Sequence, residues 1–225
     1  MPSDFPGSPK FLKGALVAYE SQFLGPIPNI IVFQYNPEQL TRSLAHRMGQ
    51  TETKDVGAAR SETYRTSGPP IETINITVKI DAADQLAEPL QHPLAVAKGI
   101  HPALAALELL MYPPVDQFIR STILAAAGST ELNSLDVPLI LFIWGPSRVL
   151  PVRLTSFSVT EQAFDQQLSP IRAEVQLGMK VVSYVDLEVN SIGYGAYLAT
   201  QTQKEVMARL NMLNNVEQIA GMLPI

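Results

Sequence analysis

Two carboxylate pairs are the residues whose types could do hydrolytic chemistry. Glu161 with Asp165, and Asp186 with Glu188, could supply a general acid and base to a glycosidic bond. They qualify by type alone, because strand and loop charges more often form a solvated face. Trp144 ends an apolar run beside Gly145-Pro146 and could stack on a sugar, although a core or interface aromatic suits that place better. His46, His92 and His101 form no HExxH and no ligand-spaced cluster, and His101 before Pro102 reads as a capping or packing residue at a helix start. Gly193-Tyr194-Gly195 precedes a helix but lacks a third glycine and a strand in front, which suits a hinge better than a phosphate cradle. The chain has no cysteine, so thiolate catalysis, disulfides and Cys-based metal sites are excluded. The expectation is a protein that is not an enzyme, with no cofactor and no metal.

Behind these residues stands a chain of 225 residues with 46% hydrophobic content, enough for a real core. Only 16% of residues are charged, against a usual value of about 25%, which suggests a surface partly covered by partners. The net charge is −5, and no basic block could neutralise a row of phosphates, so nucleic acid is not expected as a partner. The longest strongly apolar run, Val137–Trp144, contains Pro138 and is far short of the ~20 residues of a membrane span. The N-terminus has no signal-peptide pattern. These features predict a cytoplasmic protein without a membrane partner.

The elements that must position any site read as mainly β. Residues 1–12 suggest an arm. Strands are predicted over Lys13–Phe23, Ile30–Tyr35, Ile71–Ile80, Val137–Trp144, Val149–Thr160 and Ile171–Val182, with a phase slip at Ser156. Gly25–Pro28 reads as a turn, and residues 41–70 as a long polar excursion between strands. Helical patterns cover Asp81–Leu90, His101–Tyr112 and Gln117–Ala127. Short connections make the last three strands consecutive and antiparallel. A hinge at Asn190–Gly195 leads to an amphipathic helix over Ala196–Met212, with Leu198, Val206 and Leu210 near one stripe, and a short apolar tail over Val216–Ile225.

Three blocks in fixed order carry a family resemblance: VFQYNPEQLTRSL from Val32, LFIWGPSRVLPVRLTSFSVTEQAF from Leu141, and PIRAEVQLGMKVVS from Pro170. Together they resemble the tube proteins of contractile injection systems, the phage-tail-like particles of bacteria, and within them the tube-initiator or hub-adaptor branch. The resemblance implies an antiparallel β-sandwich or barrel with a packed helix, spanning 13–185, and a C-terminal helical extension over 186–225. It implies that Phe33, Gln34, Tyr35, Asn36 and Pro37 end a strand and fix its exit, and that Trp144, Gly145 and Arg148 shape a hairpin. Thr155, Ser156, Thr160, Glu161 and Phe164 would run along a lumen- or neighbour-facing strand, and Pro170 to Ala173 would begin its partner. Glu161 and Arg172 are expected in cross-strand or inter-protomer contacts. Many relatives of that branch carry a C-terminal LysM-like module, and this chain has no room for one.

The resulting expectation is a structural subunit: a homo-hexameric ring that joins a trimeric spike protein and baseplate components to the inner-tube protein, and that templates the tube. Its 41–70 excursion and C-terminal helix would be the adaptable parts. The alternatives are the repeated inner-tube subunit, a baseplate-associated binding module with Trp144 as platform, and a cell-wall hydrolase using Glu161 or Asp165.

Overall fold

From Glu72 to Val78 every second residue is buried, so Ile71–Asp81 is the half-buried strand that its alternation predicts. A computed structural model of the chain describes residues 12–19, 29–47, 68–113, 115–126 and 138–220. It contains the strands β1 (Ala15–Tyr19), β2 (Asn29–Val32), β3 (Leu40–Ala45), β4 (Ile71–Asp81), β5 (Leu139–Ile143), β6 (Val149–Phe164) and β7 (Pro170–Val181). They form one antiparallel sheet in the order β2-β1-β5-β6-β7-β4-β3. The helices are α1 (Ala83–Ala87), α2 (Pro93–Lys98), α3 (His101–Glu108), α4 (Val115–Ala126) and α5 (Ile192–Ala220). The fold is therefore mainly β with flanking helices.

The core lies inside the curled sheet. Ile74, Ile76 and Val78 of β4 meet Ala173, Val175, Leu177 and Met179 of β7, with Ile140, Phe142, Leu150 and Val152 from β5 and β6. Leu104 and Leu107 of α3, and Leu110 in the 3-10 turn that follows, join this cluster. A fully buried side chain of this kind contributes about 1.5–3 kcal/mol. The joint between α2 and α3 is held at Gly99, whose φ of +54° favours glycine and whose added Cβ would collide with the carbonyl oxygen of Pro170. That same oxygen accepts the N–H of Ile100 at 3.0 Å.

The phase slip at Ser156 is a β-bulge. Leu154 faces Met179 and Ser156 faces Gly178, which leaves Thr155 as the extra residue of β6. A side chain at Gly178 would collide with the Ser156 hydroxyl, so the glycine lets the bulge sit flat on β7.

Several boundaries differ from the sequence expectation. The strand read as Ile30–Tyr35 stops at Val32, because Phe33 turns inward to 1% exposure and the next residues bond across the fold. Residues 41–45, read as the start of a polar excursion, form β3 together with Leu40; Leu40, Arg42 and Leu44 alternate with polar residues, and pairing with β4 decides the matter. The pattern over Asp81–Leu90 yields only α1, and α2 was not expected, being six residues long and opened by Pro93. The expected hinge at Asn190–Gly195 instead runs into α5. Ser191 Oγ accepts the N–H of Tyr194 at 3.1 Å, and Gly193 packs where a Cβ would press on Leu139 and Leu187. α5 continues to Ala220, through the first half of the predicted tail. The arm before residue 12, the end of the first predicted strand, the Gly25–Pro28 turn, the excursion over 48–67 and the last residues of the tail lie outside the described residues.

Candidate assembly interface

The segment Phe33–Pro37 is a staple made of side chains. The Phe33 N–H bonds to the Gly14 carbonyl at 2.9 Å, and then Asn36 takes over the ladder with its amide. Asn36 Oδ1 accepts the Gly14 N–H at 2.9 Å, and Nδ2 donates to the Leu12 carbonyl at 2.7 Å. Gln34 does the same for the end of β4. Its Nε2 donates to the Asp81 carbonyl at 2.7 Å and its Oε1 accepts the Asp81 N–H at 2.9 Å. β2 ends the strand order on one side and β4 is next to last on the other, so this contact draws the sheet towards closure. Asp81 also accepts the Ala83 N–H at Oδ1 and pairs with Arg172 through Oδ2, both within 2.8 Å. Arg172 is its cross-strand neighbour on β7. Tyr35 is half exposed, and with Pro37 it lines a groove beside this cluster.

β6 is where the fold is left open. β5 pairs only with Val149–Val152, whereas β7 pairs along the strand to Phe164. From Arg153 to Phe164 the other edge of β6 carries no partner strand among the described residues. β3 likewise presents an edge without one. Between these two edges the outward side of the sheet is polar. The rows Asn75–Gly178–Ser156, Thr77–Gln176–Ser158, Lys79–Glu174–Thr160 and Asp81–Arg172–Gln162 run across it. Thr160 and Glu161 are exposed at the free edge, and Phe164 is half exposed at its end. Unpaired N–H and C=O groups on so long an edge invite another strand.

α5 is clamped at its base and open beyond. Tyr197 is buried, and Thr200 Oγ1 donates to the Val149 carbonyl at 2.7 Å. Lys204 reaches Glu72 Oε2 at 3.3 Å, and Arg42 reaches Glu72 Oε1 at 2.7 Å, so the carboxylate of Glu72, 5% exposed, carries two cations. Leu198, Val206 and Leu210 are each more than 40% exposed. On the neighbouring turn, Trp144 stacks on Phe142 with centroids 5.8 Å apart, and Gly14 leaves room for its ring and that of Phe33. The Trp144 N–H bonds to the Arg148 carbonyl at 2.8 Å, which closes the hairpin. Burial lowers the Arg148 pKa, Arg42 acts the same way, and Glu72 opposes them.

The chain matches a family described as contractile injection system tube protein over residues 12–189. It belongs to that family. No curated protein matches the chain. The match covers all seven strands and stops just before α5, and membership gives this tube protein a structural role in a family that is not one of enzymes.

Two of the four carboxylates singled out from the sequence are fixed by hydrogen bonds. Asp165 Oδ1 accepts the N–H groups of Ser169 and Gln167 at 2.7 Å each, and the bond from Ser169 is the main cause of its lowered pKa. Asp186 is lowered chiefly by the Ser183 hydroxyl at 2.6 Å, with Arg47 adding to it. A general acid needs the opposite shift. Among the described residues no group of His, Asp and Glu is placed to hold a metal, and no helix is long and apolar enough to cross a membrane.

Of the residues singled out from sequence, the tube protein brings Gln34 and Arg172 together on Asp81. Thr160, Glu161 and Phe164 share one edge. Trp144 and Arg148 lie apart at the β5–β6 turn, and Leu198, Val206 and Leu210 lie on α5. Sequence reasoning missed Asp81, Gly14 and Glu72. Glu72 had a signal, as a charge in phase with the apolar face of Ile74 and Ile76.

Proposed function

We propose that this tube protein forms a hexameric ring at the hub end of the inner tube, joining a trimeric spike to the tube and templating tube assembly. The observation that supports the reading is the bare edge of β6 from Arg153 to Phe164, opposite the bare edge of β3, with a polar face between them. Head-to-tail pairing of those edges continues the sheet from copy to copy, hides the edges and turns the polar face to the inside of the ring. The tube-like part over 13–185 builds the ring, and the extension over 186–225 meets the hub. The Asp81–Arg172 pair and the Gln34 staple hold the strands at the angle the ring requires.

Two measurements test this. Native mass spectrometry of the full chain is expected to show a closed six-copy species, and only monomer at assembly concentrations rejects the ring. Quantitative mass spectrometry of particles carrying the chain is expected to give one ring per particle. Tens to hundreds of copies would assign it to the repeated tube instead.

A further inference from the structure

One row of the polar sheet face differs from the others. Lys180 of β7 lies directly opposite Arg153 of β6 on one side and Thr73 of β4 on the other. Arg153 and Lys180 are both exposed, and neither has an ion pair among the described residues. Their Cα atoms stand about 5 Å apart, and like charges set opposite one another across a ladder repel. The next two rows, through Gly178 and Gln176, carry no charge. Beyond them Lys79 lies opposite Glu174, and Arg172 pairs with Asp81 at 2.7 Å, so the charges cancel. The face is cationic at one end and neutral along the rest. The cationic end is also the α5 end. Val149, whose carbonyl accepts the Thr200 hydroxyl, opens β6 just before Arg153, and Glu72, which holds Lys204, precedes Thr73.

We infer that Arg153 and Lys180 together receive the carboxylates of an acidic polypeptide segment presented by the hub-side partner. A guanidinium beside an ammonium suits a carboxylate, and an anion between them relieves a repulsion that the chain itself leaves standing. A nucleic acid fits less well, because a long polyanion needs cations along its path and this face offers them in one row only. The choice of the hub as source rests on the proposed ring, in which this face turns inward and α5 meets the hub. There the pairs of successive copies close into one belt at the hub-side mouth of the channel. The acid-binding chemistry itself belongs to each copy.

The full chain can be titrated with labelled oligoglutamate at low ionic strength. Arg153→Gln with Lys180→Gln is expected to weaken binding about tenfold, whereas Lys79→Gln on the same face should change it less than about twofold. Lys180→Glu is a second variant: it turns the repulsion into an attraction, so it should raise the melting temperature while losing the peptide. No binding by the unaltered chain, or equal binding by these variants, overturns the inference. Tighter binding of oligothymidylate than of oligoglutamate overturns it in favour of nucleic acid. In particles, the double glutamine variant is expected to form its ring but to lower the amount of spike per ring, read by quantitative mass spectrometry. A normal spike content overturns the hub as the source. Native mass spectrometry reports the ring separately: an unaltered chain that binds oligoglutamate but forms no ring rejects the ring and keeps the acid-binding pair.

Discussion

The side-chain amide of Gln34 pairs with both the N–H and the carbonyl of Asp81, taking the place of a neighbouring strand at the end of β4. Forty-seven residues separate the two, and the contact joins the segment after β2, at one end of the strand order, to β4, next to last at the other.

Gln34→Ala should therefore weaken the whole fold. Two hydrogen bonds are lost and the backbone of Asp81 is left without them, which costs about 1–3 kcal/mol. Gln34→Glu should be comparable, since a carboxylate accepts from the Asp81 N–H but cannot donate to its carbonyl. Urea unfolding of both variants checks this, and an unchanged midpoint for both would remove the staple from the account.

That staple marks the limit of what the sequence could tell. Period-two alternation in 71–80 and 171–182 exposed β4 and β7 directly, because one face of each meets the core. The bulge was legible too, as a slipped phase at Ser156. β3 was not, since only Leu40 and Leu44 carry its apolar phase and Arg42 interrupts it on the way to Glu72. α5 was read short because glycine signals freedom in a sequence, whereas Gly193 is needed for close packing. Among the interface candidates, the FQYNP block pointed to the right segment, but its bonding partners at Gly14 and Asp81 are distant in the chain and no local pattern reports them.

Gly99→Ala should be among the most damaging single-methyl additions. The backbone is left-handed there, and the new Cβ meets a carbonyl rather than a side chain that can move. A loss of about 1–3 kcal/mol follows from strain and overpacking together. Gly195→Ala, where nothing lies within 4 Å, is the control and should be neutral or slightly stabilising in thermal melts.

Thr160→Pro and Glu161→Pro form a matched pair. Successive N–H groups of a strand point to opposite edges, so one substitution removes a bond to β7 and the other removes only a donor on the bare edge of β6. One variant should lose stability. The other should fold with a normal melting temperature but fail to form rings, as read by native mass spectrometry. Two stable, ring-forming variants would exclude β6 from the lateral contact.

Glu72 and Lys204 should differ sharply although they touch. Glu72→Ala leaves Arg42 and Lys204, 27% and 37% exposed, side by side without their shared anion and should cost about 1–3 kcal/mol. Lys204→Ala removes a cation that is 37% exposed and should cost no more than about 1 kcal/mol. Denaturant titration separates them.

Acid should loosen the junction between β7 and α5. The Asp186 pKa lies below its ordinary 3.8 in the folded chain, so the unfolded chain takes up the proton first as pH falls. The stabilisation is complete above 3.8 and disappears as pH drops through the folded value. Asp186→Asn should flatten this part of the stability curve between neutral pH and the acid limb, and an unchanged slope would assign the acid loss to other carboxylates.

The length of β6 bears on how the protein takes load. Its hydrogen bonds to β7 lie across the strands from Val152 to Phe164. A pull along the strands shears all of them at once, whereas a pull across them opens the ladder bond by bond like a zip. The subunit is therefore mechanically anisotropic, stiff along β6 and yielding at right angles to it, and a particle that drives its tube lengthwise through a barrier gains most when those strands follow the thrust.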